Sequence, residues 1–241
     1  MSQPRIYIEP KDIADFIQLK DKDIIHKLSG VLRLRKGDQI LIFDGKGKEY
    51  IYNIEELGKK CILAKRGIIS HKNNSENKKI ILAFPLTREE KVDFILQKAT
   101  ELGAAGFIPF ICERSINFEP SVKKQQRWSR IITEASRQSQ RLWLPELEKA
   151  VNFNELIKRK YKLKLAGSFN GNKPETVLSK RTDEVLIVIG PEGDFSLSEY
   201  EKLKDNDFEF IRLSLNILRV ETACIFSVGL INYLGDGKRP R

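Results

Sequence analysis

The chain has 241 residues, enough for one large domain or two small ones. Hydrophobic residues make up 41% and charged residues 32%, which supplies a real core and excludes wholesale disorder. The net charge of +10 and a pI near 9.4 favour a polyanionic partner such as RNA or DNA. The longest strongly apolar stretch, Ala223 to Ile231, falls short of the roughly 20 residues that span a bilayer. No apolar signal core follows Met1-Ser2-Gln3-Pro4-Arg5, so the expectation is a soluble cytoplasmic protein. Cys61, Cys112 and Cys224 are far apart and read as reduced thiols, and with only His26 and His71 no Cys/His metal cluster assembles at recognised spacing.

In chain order, Arg5 to Ile8 is the first strand candidate. Asp21 to Leu34 reads as a helix with Ile24, Ile25, Leu28 and Val31 on one face. Gln39 to Phe43 leads into Asp44-Gly45-Lys46-Gly47, a hairpin turn signal, and Glu49 to Ile54 and Cys61 to Ala64 add short strands. This spacing suggests a small β-barrel over residues 1–70. Residues 71–79 contain no apolar side chain until the next strand and read as a linker.

Over 80–241 strands alternate with helices, which argues for a parallel α/β sheet. Strands are expected at Ile80 to Phe84, Phe107 to Cys112, Leu163 to Phe169, Val185 to Ile189 and Phe208 to Leu213. Thr87-Arg88-Glu89-Glu90 is a capping box, with Val92, Ile95, Leu96, Ala99 and Leu102 on one face behind it and Gly103 as the stop. Ser121 to Leu142 is a long helix whose core stripe is Trp128, Ile131, Ala135 and Leu142. Ser196-Leu197-Ser198-Glu199 is a second capping box, and a last helix runs from about Arg219 to Leu234.

No G-x-G-x-x-G, G-x-x-x-x-G-K-[ST] or G-x-S-x-G motif is present, which disfavours a conventional dinucleotide enzyme, a P-loop NTPase and a serine hydrolase. The most informative stretch is Val188-Ile189-Gly190-Pro191-Glu192-Gly193-Asp194-Phe195-Ser196, where a buried strand meets a capped helix through Gly-Pro-Glu-Gly. Ligands of open α/β sheets bind outside strand carboxyl ends, and glycines there admit a ligand to the backbone. A tight turn satisfies the same spacing. Leu213-Ser214-Leu215-Asn216-Ile217-Leu218-Arg219-Val220-Glu221-Thr222-Ala223 is a second such junction. Arg219 would be unfavourably placed in a first helical turn, where Glu221 is favoured, and that misplacement hints at function as readily as at a surface arginine.

Lys123, Arg127, Arg130, Arg137 and Arg141 form a ridge on the long helix, a candidate phosphate-contact surface. Arg5, Arg33, Arg35 and Lys36 add basic groups on the barrel, and Lys238-Arg239-Pro240-Arg241 reads as a frayed, solvated end. Any single ridge also fits a solvated helix face.

These segments together resemble one family. Leu32-Arg33-Leu34-Arg35-Lys36-Gly37-Asp38 with Phe43-Asp44-Gly45 resembles its barrel signature, and Gln97-Lys98-Ala99-Thr100-Glu101-Leu102-Gly103 its first α/β helix. Glu113-Arg114-Ser115, Arg127-Trp128, Glu134-Ala135, Ile189-Gly190-Pro191-Glu192-Gly193 and Ile217-Leu218-Arg219-Val220-Glu221-Thr222-Ala223 continue the match. The chain resembles the RsmE family, ribosomal RNA uracil-N3 methyltransferases. The resemblance implies a PUA-like barrel followed by a SPOUT α/β domain with a C-terminal trefoil knot, an exception to the usual unknotted path. It also implies an S-adenosylmethionine (SAM) site, a homodimer and a uridine of small-subunit ribosomal RNA as substrate. On this reading Arg219 and Glu221 are catalytic. Gly190, Glu192, Gly193, Leu213, Ile217, Leu218 and Thr222 hold the cofactor, and Arg5, Arg33, Arg35, Lys123, Arg127, Arg130 and Arg137 hold RNA. The chain departs from the family's pattern at Asp194 and Ser214, where glycine is common, and at Val220 and Ser168-Phe169-Asn170. A SPOUT methyltransferase of another RNA nucleotide, and a non-catalytic RNA-binding protein of the same fold, are the alternatives.

Overall fold

The computed structural model describes residues 3–58, 60–72, 79–116, 119–178 and 183–236. The chain divides into two compact units, 1–76 with 136–144, and 77–135 with 145–241.

The first unit is a five-stranded sheet of order β1-β3-β4-β5-β2. Its strands are β1 (Arg5–Tyr7), β2 (Phe16–Leu19), β3 (Gln39–Phe43), β4 (Lys48–Leu57) and β5 (Ile62–Lys72). β1 pairs with β3 in parallel and the other ladders are antiparallel. Gly45 and Gly47 take φ of 67° and 96° in the β3–β4 hairpin, as its turn signal requires. Register shifts in β4–β5 bend this long hairpin around a core that includes Leu28, Ile40, Ile42, Tyr52 and Ile62.

Two features differ from the sequence reading. β5 extends through Lys72 and the next strand opens at Lys79, so residues at both ends of the expected 71–79 linker are strand; 73–78 lie outside the described residues. The helix expected from Asp21 to Leu34 is a single turn, α1 (Lys22–Ile25), capped by the Asp21 carboxylate on the amides of Asp23 and Ile24. It widens into a π-helical turn over His26–Val31. Bonding at i+5 spreads more residues over each turn, so Leu28 stays buried while Val31 rotates out to 63% exposure.

Arg5, expected from sequence among the RNA contacts, is instead held inside this unit and is its fixed point. Its side chain is 7% exposed and pairs through Nε with Glu49, itself buried. Nη1 donates to the Ser136 carbonyl at 3.0 Å and Nη2 to the Arg141 carbonyl at 2.7 Å, and the guanidinium lies 3.9 Å over the Phe43 ring. Every face of this cation is therefore committed inside the unit. The 136–144 segment is held further by Gly47 N to the Leu142 carbonyl and Leu144 N to the Gly45 carbonyl.

The second unit is an all-parallel sheet of order β12-β10-β11-β6-β7-β8, with β9 also on β7. Its strands are β6 (Lys79–Pro85), β7 (Gly106–Ile111), β8 (Glu146–Leu147), β9 (Val151–Asn152), β10 (Leu163–Asn172), β11 (Glu184–Val188) and β12 (Glu209–Ile211). Its helices are α2 (Glu89–Glu101), α3 (Val122–Gln138), α4 (Phe153–Ile157), α5 (Pro174–Val177), α6 (Leu197–Asp205) and α7 (Val220–Asp236). Continuous apolar runs such as Val185 to Val188 are fully buried, as a doubly covered parallel sheet demands. The α6 capping box forms, with Ser196 and Glu199 exchanging side-chain-to-backbone bonds. The one expected at Thr87 does not: Arg88 takes the N-cap place, which leaves Thr87 one residue outside the helix and out of reach of the third turn position. Leu102 is 39% exposed and not in the core face, where Thr100 is buried instead. On α3 the buried stripe is Trp128, Ile132 and Ala135, with Ile131 only half-buried.

Replacing Arg5 with Met should lower the unfolding free energy of the first unit by about 3 kcal/mol, because Glu49 stays buried without its cation. Urea unfolding followed by the fluorescence of Trp143 in that unit measures this, and a loss below about 0.5 kcal/mol would mean the pair contributes nothing net.

Candidate functional site

Because the strands of the second unit are parallel, their carboxyl ends share one edge. A cavity of about 790 Å³ opens there, within the usual range for a small-molecule site. It is walled by 167–169 of β10, 189–194 after β11 and 213–214 with 216–219 after β12, with Lys91 of α2 and Val220 and Ala223 of α7.

The β10 wall arises from an interrupted ladder. Gly167 and Asn172 both register with Ile211, so residues 168–171 loop out between them. A Cβ on Gly171 would lie 2.5 Å from the Ile211 carbonyl carbon, so only glycine lets the two backbones pass so closely. The β11 wall is a tight turn: Asp194 N donates to the Pro191 carbonyl at 3.0 Å, with Gly193 at φ 89° in the third place. A Cβ on buried Gly190 would meet Asp194 Oδ1 at 2.9 Å. Arg114 braces the turn, Nη1 donating to the Gly193 carbonyl at 2.5 Å.

Asp194 itself stands at φ 62°, a left-handed conformation that explains glycine's fitness there and costs a non-glycine residue about 1–2 kcal/mol. Its carboxylate offsets this locally. Oδ1 accepts from Phe195 N at 2.8 Å and Oδ2 from the Tyr200 hydroxyl at 2.7 Å. The same hydroxyl reaches Ser168 Oγ at 3.3 Å, so it joins the β10 and β11 walls. Burial, above all, pushes the Tyr200 phenol up to about 12, so it stays a donor.

Of the residues expected from sequence to hold a cofactor, Gly190, Glu192, Gly193, Leu213, Ile217 and Leu218 line the cavity. Thr222 does not. It is exposed on α7, because the helical step turns it away from the cavity face held by Val220 and Ala223. Arg219 lines the cavity as the residue before α7, its carbonyl accepting from Ala223 N at 2.9 Å, so it stands at the cap and not in the first turn. Its guanidinium makes no hydrogen bond or ion pair among the described residues, though its charge is felt at Glu192. Glu221, in that first turn, is 15% exposed at its side chain and is not among the residues that line the cavity; it meets the cavity through Lys91.

Sequence reasoning missed Lys91. Its ammonium hydrogen-bonds Glu192 and stands 3.4 Å from Glu221 Oε2, an oxygen that is buried and has no hydrogen bond. The bond to Lys91 holds the Glu192 carboxyl below its usual range, and the bond to Glu192, with Glu221 beside it, holds Lys91 above its own. The signal was available: Lys91 is the third residue of a helix that follows a buried strand, where the dipole disfavours a cation. Phe169, Ser168, Asp194, Ser214, Asn216, Val220 and Ala223 were also missed as cavity walls; Phe169, 53% exposed, is an aromatic left bare.

The basic groups read as RNA contacts divide. Arg33 and Arg35 are exposed in the first unit, Arg33 at φ 54°. Lys123 and Arg130 are exposed on α3. Arg127 is tied down, Nη1 donating to Glu89 at 2.6 Å and Nη2 to Asp93. Arg137 is half-buried with its carbonyl turned to Arg5. The basic tail from Lys238 lies outside the described residues.

Chemically, the cavity offers bare apolar surface (Phe169, Leu213, Ile217, Leu218), two cations (Lys91, Arg219) and two carboxylates (Glu192, Asp194). That set fits a ligand with a flat heteroaromatic part, hydroxyl groups and charges of both signs. Residues 74–232 match the RNA methyltransferase domain family and 31–65 the RNA methyltransferase PUA domain family. The chain is 30% identical to ribosomal RNA small subunit methyltransferase E of Rickettsia conorii over 98% of both chains. It is 29% identical to the Bacillus subtilis protein of that name over 87% of both. The crystal structure of ribosomal RNA small subunit methyltransferase E from Neisseria gonorrhoeae bound to S-adenosyl methionine superposes with TM-score 0.84 at 28% identity, covering 97% of this chain and 98% of that one. A Legionella pneumophila methyltransferase in complex with SAM gives 0.87 at 28% identity over the same shares.

Tyr200→Phe removes the hydroxyl that joins Asp194 to Ser168. The expected loss is about 1 kcal/mol, or a melting temperature lower by about 2–4 °C, with faster amide exchange over 190–195. Unchanged exchange there would show that the two walls are held without it.

Proposed function

The chain belongs to the ribosomal RNA small subunit methyltransferase E family, and we propose that it transfers a methyl group from SAM to N3 of one uridine in small-subunit ribosomal RNA. The observation that carries this is the cavity at the sheet's carboxyl edge. Its glycine turns, apolar faces and paired charges suit SAM, the ligand bound in structures that share 28% identity along nearly the whole chain. The choice of N3 of uridine rests on the family resemblance of the Gly190-Pro191-Glu192-Gly193 and Leu218-Arg219 segments.

Backbone groups at Gly190, Gly193, Leu213, Ile217 and Leu218 would hold the adenosine and methionine parts, with the apolar side chains against the ring. When bound, SAM supplies an electrophilic methyl group. The chain must then make a poor nucleophile competent. Uracil N3 keeps its proton at neutral pH, and its loss spreads negative charge over the flanking carbonyl oxygens. Arg219, unpaired at the cavity, is the fixed cation for that charge. Glu221 would accept the proton as the N3–H bond breaks; the N3–methyl bond would form as the donor's sulfur–methyl bond breaks, its electron pair staying on the departing thioether, and the carboxylate would then pass the proton to water. Fixing both reactants in one cavity supplies much of the rate. Exposed Arg33 and Arg35 in the PUA unit, and Lys123 and Arg130 on α3, would take phosphates and set the register on the RNA.

Among the described residues no helix is long and apolar enough to cross a membrane, which suits an enzyme working where ribosomes are. Leu215 and Ile217, 77% and 89% exposed beside the cavity, give a second copy of the chain apolar surface to cover. Light scattering of the purified protein should give twice the 27.8 kDa chain mass, and an active monomer would rule out a site shared between copies.

The decisive test is incubation with labelled SAM and small ribosomal subunits lacking the modification, followed by nucleoside analysis. Label should appear in 3-methyluridine. Label in another nucleoside would keep the methyltransferase and discard the target, and no label with no SAM binding would leave an RNA-binding protein of this fold. Arg219→Ala should cut turnover at least 100-fold, on the scale of losing one charge-stabilising donor, with SAM affinity within about threefold.

A further inference from the structure

Lys91 stands where helix electrostatics disfavour it, at the third position of α2, and its ammonium faces carboxylates from two other segments. Glu192 belongs to the turn after β11 and Glu221 to the first turn of α7. We infer that Lys91 is a positioning residue for methyl transfer: it keeps Glu221 as the anionic proton acceptor and ties the 190–193 turn to the start of α7. This rests on the reading of Glu221 given above.

The surroundings of Glu221 carry the argument. Its Oε2 is shut off from water and accepts no hydrogen bond, so a negative charge there leans on the ammonium of Lys91 at 3.4 Å. The charged groups near it are few. From α2 there is Lys91 at 3.4 Å; from its own helix there is the buried Cys224 thiol, which burial and then Glu221 hold far above the ordinary thiol range and so neutral. Arg219, the residue before the helix, makes no ion pair with it, and Glu192 bonds the same ammonium. A nearby cation favours the charged form of a carboxyl, and only the carboxylate can accept a proton. Lys91 supplies that cation. It is no base itself, because its bond to Glu192 holds it protonated. Lys91 also lines the cavity with Arg219, so the two cations divide the work: Lys91 is paired with Glu192 and Glu221, and Arg219 is left for the charge that develops on the base.

The test compares wild type, Lys91→Met, Lys91→Arg and Glu221→Gln, all on the full chain with small subunits lacking the modification. SAM affinity is read by equilibrium binding, and turnover is read from about pH 5.5 to 9. Removing the cation disfavours the carboxylate, so its protonation must begin at higher pH. Lys91→Met should therefore lose at least tenfold in kcat at pH 7 and shift the acid limb of the profile upward, with SAM affinity within about threefold. Lys91→Arg should restore most of both, and Lys91→Met should cost nothing further on top of Glu221→Gln. An unshifted acid limb in Lys91→Met would overturn the inference, as would SAM affinity falling in step with kcat, because Lys91 would then only shape the cofactor cradle. A thermal melt matching wild type shows that Lys91→Met is folded, and Lys91→Arg carries the test if it is not. If wild type itself transfers no methyl group, the functional reading has failed and not the role of Lys91 within it.

Discussion

The site depends on one constraint, that β10, β11 and β12 run parallel and end together. A parallel sheet puts every strand-to-helix junction at one edge, so segments far apart in sequence meet there. The junction after β11 alone would be an ordinary tight turn. It becomes a cavity wall because the loop inside β10 rises beside it and the 213–220 segment closes the third side. That loop exists only because Gly171 lets β10 return against the backbone of Ile211 and Arg212 at a separation no side chain allows.

Loops at such an edge need holding, since a cofactor site loose by an ångström loses rate. Here each wall is fixed from behind. Arg114 holds the Gly193 carbonyl, Tyr200 joins Asp194 to Ser168, and Glu199 closes the α6 capping box while accepting from Glu113 N at 2.9 Å. Beneath them Phe110, Phe153, Phe195 and Tyr200 pack in one aromatic cluster. The Glu113-Arg114-Ser115 segment thereby acquires a reason: Ser115 Oγ accepts from Cys112 N at 2.9 Å to shape the strand end, and Arg114 reaches across to the turn. Asp194 shows how a departure from the family's pattern is absorbed. The backbone keeps the left-handed conformation that suits glycine, and the added carboxylate is put to use as a brace.

Strand and helix periodicity made the second unit legible, because buried runs and a formed capping box at Ser196 are local signals. The cavity was legible where chemistry sat in the junctions, at Gly190, Gly193 and Leu218. What stayed hidden depends on distance in sequence. Lys91 reads as one more cation on a charged helix until folding brings Glu192 and Glu221 to it. Phe169 is strand as its sequence reads, but nothing local announces that the pairing with β12 skips 168–171. In the first unit a π-helical turn, which has no periodic signature of its own, turned Val31 out of the expected apolar face.

The net charge of +10 shows the same division between count and use. Arg5 is sealed against Glu49 and three carbonyls, Arg127 is matched by Glu89 and Asp93, and Lys91 is matched by Glu192 and Glu221. These cations organise the protein's own carboxylates and backbone, and only Arg5 is wholly withdrawn from water; Arg127 keeps 54% of its side chain exposed while its charge is matched. Arg33, Arg35, Lys123 and Arg130 remain at the surface, where counterion release on meeting RNA can reward them. A basic composition thus points to a polyanionic partner only through the cations that folding leaves unspent. Arg33 and Arg35 on the PUA unit and Lys123 and Arg130 on α3 are among those, while Lys91 and Arg219 line the cavity.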